Sequence, residues 1–139
     1  MPVFPTFAHV ALTVSDLSVS VPWYERLIGS GPVLDENTGP FHHTVFVVGG
    51  ALLGLHHFPG GRAGGSPAEG EVFEERRVGL DHVAFQCADR AELEAWERRL
   101  DELGVKHGGI VDAHYGSGLS FRDPDNIALE FFAPPGEVA

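Results

Sequence analysis

The stretch His9-Val10-Ala11-Leu12-Thr13-Val14-Ser15-Asp16 returns, altered but recognisable, as His82-Val83-Ala84-Phe85-Gln86-Cys87-Ala88-Asp89. In both copies a His-Val-Ala triplet opens a hydrophobic run. An aspartate follows seven residues after the histidine, and a tryptophan follows at fourteen (Trp23 and Trp96). One offset of 73 residues relates every pair. Self-similarity at a fixed spacing marks a duplicated supersecondary unit, and it constrains the fold more tightly than local propensity can.

Outward from the first copy, Phe7 to Val14 alternates, with Phe7, His9, Ala11 and Thr13 on one face and Ala8, Val10, Leu12 and Val14 on the other. Both faces are partly apolar, which predicts a strand enclosed on both sides. Asp16 ends it. The pattern then predicts a helix over 20–28, with Pro22 in the first turn, where its missing N–H has no intrahelical partner, and Gly29 as a left-handed terminator. Strands are predicted over 33–36, 41–48 and 51–58, the last two joined by Gly49-Gly50. Residues 5–58 thus form a βαβββ module.

The segment 59–78 begins rich in Gly, Pro, Ala and Ser and reads as a linker. The second module, 79–134, repeats the plan. A strand over 80–87 precedes a helix opened by an Asp89–Glu92 capping box, with Leu93, Trp96, Leu100 and Leu103 at helical spacing and Gly104 at its end. Strands follow over 105–112, 118–122 and 127–132, and Asp123-Pro124-Asp125-Asn126 turns the final hairpin. The expected fold class is α+β: two βαβββ modules in a single domain, 1–139, forming an eight-stranded open mixed β-barrel shaped like a cup.

Composition narrows the function classes. The formal net charge of −11 argues against nucleic acid as a partner, since phosphates must be neutralised by concentrated basic residues. The basic pair Arg76-Arg77 follows Glu74-Glu75 directly. A single cysteine, Cys87, leaves no internal disulfide framework and no cysteine-based zinc site. Its place in an alternating run predicts an inert strand thiol. Met1-Pro2-Val3-Phe4-Pro5 lacks a basic region leading into an apolar stretch, and no apolar run approaches the ~20 residues of a membrane span. The expectation is a cytoplasmic protein with no membrane partner.

The repeat also singles out chemistry. His9 and His82 hold the same place in their modules, so both are expected to point into the cup. Glu130 is the only carboxylate in the apolar run Ile127-Ala128-Leu129-Glu130-Phe131-Phe132, where an unpaired inward charge carries a large desolvation cost that a cation would remove. Two neutral imidazoles and a carboxylate suit a divalent metal ion (Fe, Mn, Zn or Ni) with positions left open for substrate or water. Matching 51–55 to 127–131 puts Gly54 opposite Glu130. His56, two residues on, shares that strand face as a fourth ligand or an acid/base group, and a register making His56 the true counterpart stays open. His57 has the opposite parity and is expected to face outward. Tyr115, in a segment read as flexible, is a candidate acid or hydrogen-bond donor to substrate. His42, His43, His107 and His114 read as surface or rim residues, and Arg122 and Asp123 as supports of the turn.

Taken together, the His9–Leu17 run with Trp23-Tyr24, the Leu80–Ala84 run and the Phe121–Phe131 run resemble the vicinal oxygen chelate superfamily, which includes glyoxalase I, bleomycin-resistance proteins, extradiol dioxygenases and fosfomycin-resistance transferases. The resemblance implies metal ligation by His9, His82 and Glu130. It also implies a substrate that chelates the ion through adjacent oxygens, and a homodimer in which one site can draw on two subunits. Glyoxalase I carries a further carboxylate in the last strand of its first module, which falls on Gly54 or its neighbours here. Three readings remain: a metal-dependent lyase, isomerase or dioxygenase acting on a small molecule; a metal-free dimeric drug-binding protein of the bleomycin-resistance type, with clefts lined by Trp23, Phe41, Phe46 and Phe58; and a structural or regulatory domain with a vestigial site.

Overall fold

The computed structural model describes residues 1–60 and 71–136, the side chain of Thr38 excepted. The chain divides into two compact units, Met1–Glu71 and Val72–Ala139. The central part of the expected linker lies outside the described residues.

The first unit runs β1 (His9–Thr13), α1 (Leu17–Ile28), β2 (Leu34–Thr38), β3 (Phe41–Val48) and β4 (Ala51–His57). Its four strands lie in the order β1-β4-β3-β2, with β1 parallel to β4 and the other pairs antiparallel. The second unit repeats this as β5 (Val83–Gln86), α2 (Arg90–Glu102), β6 (His107–Ala113), β7 (Gly116–Arg122) and β8 (Ala128–Ala133), in the order β5-β8-β7-β6. The two βαβββ modules expected from the repeat are therefore present, each with its own four-stranded mixed sheet, in an α+β fold.

Both helices are set by their caps. The Asp16 carboxylate accepts from the Ser18 N–H at 2.9 Å, which starts α1 at Leu17, three residues earlier than the apolar spacing predicts. Pro22 consequently sits inside the helix and not in its first turn, and lacks the N–H that would bond the Ser18 carbonyl. The Asp89 carboxylate accepts from Glu92 N–H at 2.9 Å, and the Glu92 carboxylate reaches back to Ala88 N–H at 2.6 Å. Gly29 (φ 85°) ends α1 in the left-handed conformation that the sequence led us to expect.

Each sheet buries one face against its helix. In the first unit Leu12, Phe46, Leu53 and Leu55 are buried, as are Tyr24 and Leu27 of α1. In the second, Leu119, Phe121, Leu129 and Phe131 pack with Leu93 and Leu100 of α2, and Trp96 stacks on Phe131 at 4.3 Å between ring centroids. Each large apolar side chain so buried contributes about 1.5–3 kcal/mol. Phe46 is fully buried on this helix side, so it lines no cleft, contrary to the expectation above. Parity places it opposite Phe41, and Trp23 is held on the helix, edge-on to Tyr24. Among the described residues no helix is long and apolar enough to cross a membrane.

Candidate functional site

The face of each sheet turned away from its helix carries the polar chemistry, and strand registers decide which residues share it. In the second unit Ala84 of β5 pairs with Glu130 of β8, which pairs with Ser120 of β7. His82, two residues before Ala84, and Glu130 therefore project from the same side. Their side chains meet: His82 Nε2 lies 3.5 Å from Glu130 Oε2. On its other side, His82 Nδ1 lies 2.7 Å from Asp81 Oδ1, which orients the ring with Nε2 toward Glu130. Gly118 makes room for the carboxylate. A Cβ at that position would stand 2.8 Å from Glu130 Oε1.

This pair suits a metal ion by its geometry as well as its chemistry. Two ligands bound at about 2.0–2.2 Å and 90–109° apart lie about 3.0–3.4 Å from each other. The observed 3.5 Å is close to that separation, and an imidazole oriented through its second nitrogen by a carboxylate is the usual metal-binding arrangement.

In the first unit the equivalent pairing is Ala11 with Gly54. Ala84 is the repeat counterpart of Ala11, so Gly54 is the counterpart of Glu130, and His56 corresponds to Phe132. The register in which His56 would be the counterpart is excluded. His56 nevertheless lies over the vacant position: a Cβ at Gly54 would have His56 Nε2 as its nearest neighbour, at 3.3 Å. Cross-strand pairs Glu36–His43 and His43–His56 place three polar side chains in one row across β2, β3 and β4. His43 Nε2 is 3.4 Å from Glu36 Oε2. The His56 ring stacks on Phe41 at 4.7 Å and meets the edge of His43 at 5.3 Å. Burial, then the neighbouring His43 and His9, push the His56 imidazole below its ordinary value. His9 projects from this same face of β1.

Among the described residues no three His, Cys, Asp or Glu side chains are gathered closely enough to hold a metal ion by themselves. Within the second unit His82 and Glu130 form a pair, and within the first His9, His43 and His56 share one sheet face.

Other expected residues fall elsewhere. Tyr115 caps the β6–β7 hairpin, a defined turn in place of the flexible segment expected. It is 66% exposed, edge-on to His114 and parallel to Phe132 at 6.5 Å. Phe132 shares the Glu130 face, so Tyr115 sits at the end of that face. His57 has the parity opposite to His56, and its Nδ1 reaches the Val14 carbonyl at 3.3 Å. His42 contacts Asp35 on that same side, and His107 contacts Asp101. Asp123 holds its turn as expected, Oδ1 accepting from the N–H groups of Asp125 and Ile127, both at 2.8 Å. Arg122 makes a bidentate pair with Glu75 and donates to the Asn126 carbonyl. Cys87 is buried, and desolvation pushes its thiol up to about 11, which makes it inert at neutral pH.

Sequence reading assigned His43 to the rim and missed its place beside His56. The signal was available. A two-residue Gly49-Gly50 turn pairs Val48 with Ala51, and counting back along both strands pairs His43 with His56.

Comparison with known proteins bears on the family and the fold. The curated protein MhqA of Bacillus subtilis (strain 168), described as a candidate ring-cleaving dioxygenase, is 41% identical over 51 residues, 37% of this chain. The match spans about a sixth (16%) of that longer relative. A glyoxylase/bleomycin resistance protein/dioxygenase domain from Frankia sp. EAN1pec superposes with a TM-score of 0.81 at 29% identity, covering 96% of this chain and 100% of the other. A variant of the fosfomycin resistance protein FosX from Listeria monocytogenes, solved with Mn(II) and 1S,2S-dihydroxypropylphosphonic acid, shares the fold (TM-score 0.68, 19% identity, 96% and 93% covered). The family model for the Glyoxalase/Bleomycin resistance protein/Dioxygenase superfamily matches residues 6–131, and the chain belongs to that superfamily.

Proposed function

We propose that this chain is a metal-dependent enzyme of the dioxygenase type. Its small substrate binds a divalent ion through adjacent oxygens, and His9, His82 and Glu130 are the protein ligands. The observation that carries the reading is the His82–Glu130 pair, 3.5 Å apart with the distal imidazole nitrogen held by Asp81. In a structural ion pair nothing requires Nδ1 to be fixed, whereas a ligand imidazole needs its lone pair aimed. Two imidazoles and one carboxylate suit Fe, Mn, Zn or Ni and leave sites for a bidentate substrate. Such an ion, when bound, polarises the substrate oxygens and stabilises charge that develops on them.

The residues around the pair have separable roles. Asp81 orients His82, and Gly118 leaves the Glu130 carboxylate its space. In this reading Tyr115, at the end of the Glu130 face, donates a hydrogen bond to a substrate group. Ring cleavage is favoured over glyoxalase-type isomerisation because residue 54 is glycine, so the first module's last strand lacks the carboxylate that removes a carbon-bound proton. The resemblance to the Bacillus relative points the same way. A homodimer belongs to this reading, and sedimentation of the purified protein tests it.

The experiment is metal analysis of protein purified without chelator and then reconstituted with Fe(II), Mn(II), Zn(II) or Ni(II), followed by oxygen uptake with catechol- and hydroquinone-type compounds. The expected result is a stoichiometric ion, lost in both His82→Ala and Glu130→Ala, and oxygen uptake by one metal form. A protein that takes up none of these ions, yet binds a cationic aromatic compound tightly, is the sequestering protein and refutes the enzyme.

A further inference from the structure

We propose that the Glu75–Arg122 pair is a positioning clamp for His82: it fixes the chain that delivers this imidazole and keeps Asp81 beside the ring. The inference rests on the metal-dependent reading above and concerns residues that need touch neither ion nor substrate. All of them lie in the second unit.

His82 needs such a device. β5 begins only at Val83, so the histidine stands one residue outside the strand ladder. Residues 76–82, all among the described residues, belong to no helix or strand. The His82 side chain is 44% exposed and that of Asp81 74%. A contact between two such solvated groups is too weak to hold a chain in place by itself.

The anchor lies at the other end of this segment. Phe73 N–H donates to the Asp125 carbonyl at 2.9 Å, and Asn126 Nδ2 donates to the Phe73 carbonyl at 3.1 Å. The Arg122 guanidinium donates to both Glu75 oxygens, each at 2.9 Å, and to the Asn126 carbonyl at 3.1 Å. A planar fork on a carboxylate fixes direction as well as distance. The end of the stretch expected as a linker, 59–78, is therefore tied to the 123–126 turn. Asn126 adopts φ 66°, a conformation that glycine takes without steric cost. Asparagine keeps the turn and adds the bond to Phe73.

Register brings Arg122 and His82 into one row. Arg122 of β7 pairs with Ala128 of β8. The parallel pairing of Val83 with Leu129, extended by one residue, sets His82 level with Ala128 as well. Arg122 and His82 thus flank one small residue on the face that carries Glu130, about 9–10 Å apart at the backbone across two strand spacings. The Glu75 hydrogen bonds push the guanidinium up first, and the charges of Glu75, Glu74 and Asp81 act in the same direction. Arg122 therefore holds Glu75 directly and attracts Asp81 through space. The chain that carries the imidazole and the carboxylate that orients it answer to one cation.

The test uses the full chain in wild type, Arg122→Gln, Glu75→Gln, Asn126→Gly, Asp81→Asn and Arg122→Gln/Asp81→Asn, with thermal melting to verify the fold. The first readout needs no metal: NMR order parameters of the backbone amides of 76–82. They should fall from the rigid range, about 0.85, toward 0.6 or below in Arg122→Gln, Glu75→Gln and Asn126→Gly, while β6–β8 stay rigid. Asn126→Gly preserves the turn, so a loss of order there reports the strap alone. The second readout is Co(II) affinity by competition with a chromophoric chelator. Arg122→Gln should weaken it roughly 10-fold, the lower end of the range for residues that support a ligand. Added to Asp81→Asn, the same substitution should cost less than it does alone, because both act through one imidazole. Unchanged order in 76–82, wild-type Co(II) affinity in Arg122→Gln, or fully additive losses would overturn the clamp and leave the three ligands standing. Failure of the wild-type chain to bind Co(II) overturns the metal-dependent reading, and with it the clamp's role in placing His82.

Discussion

Gly118→Ala tests the site through a residue that never touches ligand. The added methyl would stand 2.8 Å from Glu130 Oε1 and 3.3 Å from Glu130 Cδ, whereas contacts below 3.0 Å essentially never occur and ordinary contact begins at 3.4 Å, so the carboxylate must retreat by about 0.2–0.6 Å. The atom that yields is the end of a flexible side chain. The stability cost is therefore at most about 1 kcal/mol, that of an off-rotamer torsion, or a few degrees in Tm for a chain of this size. The effect on metal is larger, because ligand distances hold to about ±0.2 Å, and we expect affinity to fall roughly 10- to 100-fold. The assay is a double-mutant cycle with Glu130→Ala read by urea denaturation, with metal competition measured on wild type and Gly118→Ala alone. If the methyl acts by displacing the carboxylate, Gly118→Ala costs nothing further once that carboxylate is gone, and the coupling energy equals the single-mutant cost. Equal stability costs in both backgrounds would refute the packing of Glu130 over Gly118.

Further predictions concern the frame that holds the site. Asp123→Ala leaves the N–H groups of Asp125 and Ile127 without their shared acceptor in a buried turn, and should cost about 1.5–3 kcal/mol in chemical denaturation; a loss below about 0.5 kcal/mol would show that the turn is held otherwise. Glu75 is drawn down to about 2, chiefly by its hydrogen bonds from Arg122. Since its folded value is depressed, its contribution is present above about pH 4.5 and is lost as pH falls from there through about 2. The stability difference between wild type and Arg122→Gln should shrink over that window, and a difference unchanged from pH 5 to pH 2 would contradict the pairing. Cys87, buried and with its thiol raised to about 11, should resist a thiol reagent at pH 8 in the folded protein and react at once in denaturant.

Much of this protein could be read from its sequence because the relevant signals are periodic and local. The offset of 73 residues, the alternation through His9–Thr13 and Val83–Gln86, and the aspartates that cap both helices are matters of spacing, and spacing alone determines which side of a strand a residue takes. The duplicated βαβββ plan, and His9, His82 and Glu130 as candidate donors, followed from it. The start of α1 did not, because Asp16 captures the Ser18 N–H and pulls Pro22 into the helix interior. Nor did the burial of Phe46, which the parity of β3 assigns to the core.

Tertiary structure decided what depends on two strands at once. Only the pairing of Ala11 with Gly54 and of Ala84 with Glu130 establishes that glycine, and not His56, is the counterpart of the glutamate. Only the folded sheet shows the His56 ring lying over that glycine and Asp81 aiming His82 at Glu130. The physical reason is that the period of a strand names its face, whereas proximity between faces depends on cross-strand register and side-chain rotamers, which the linear order of residues leaves free.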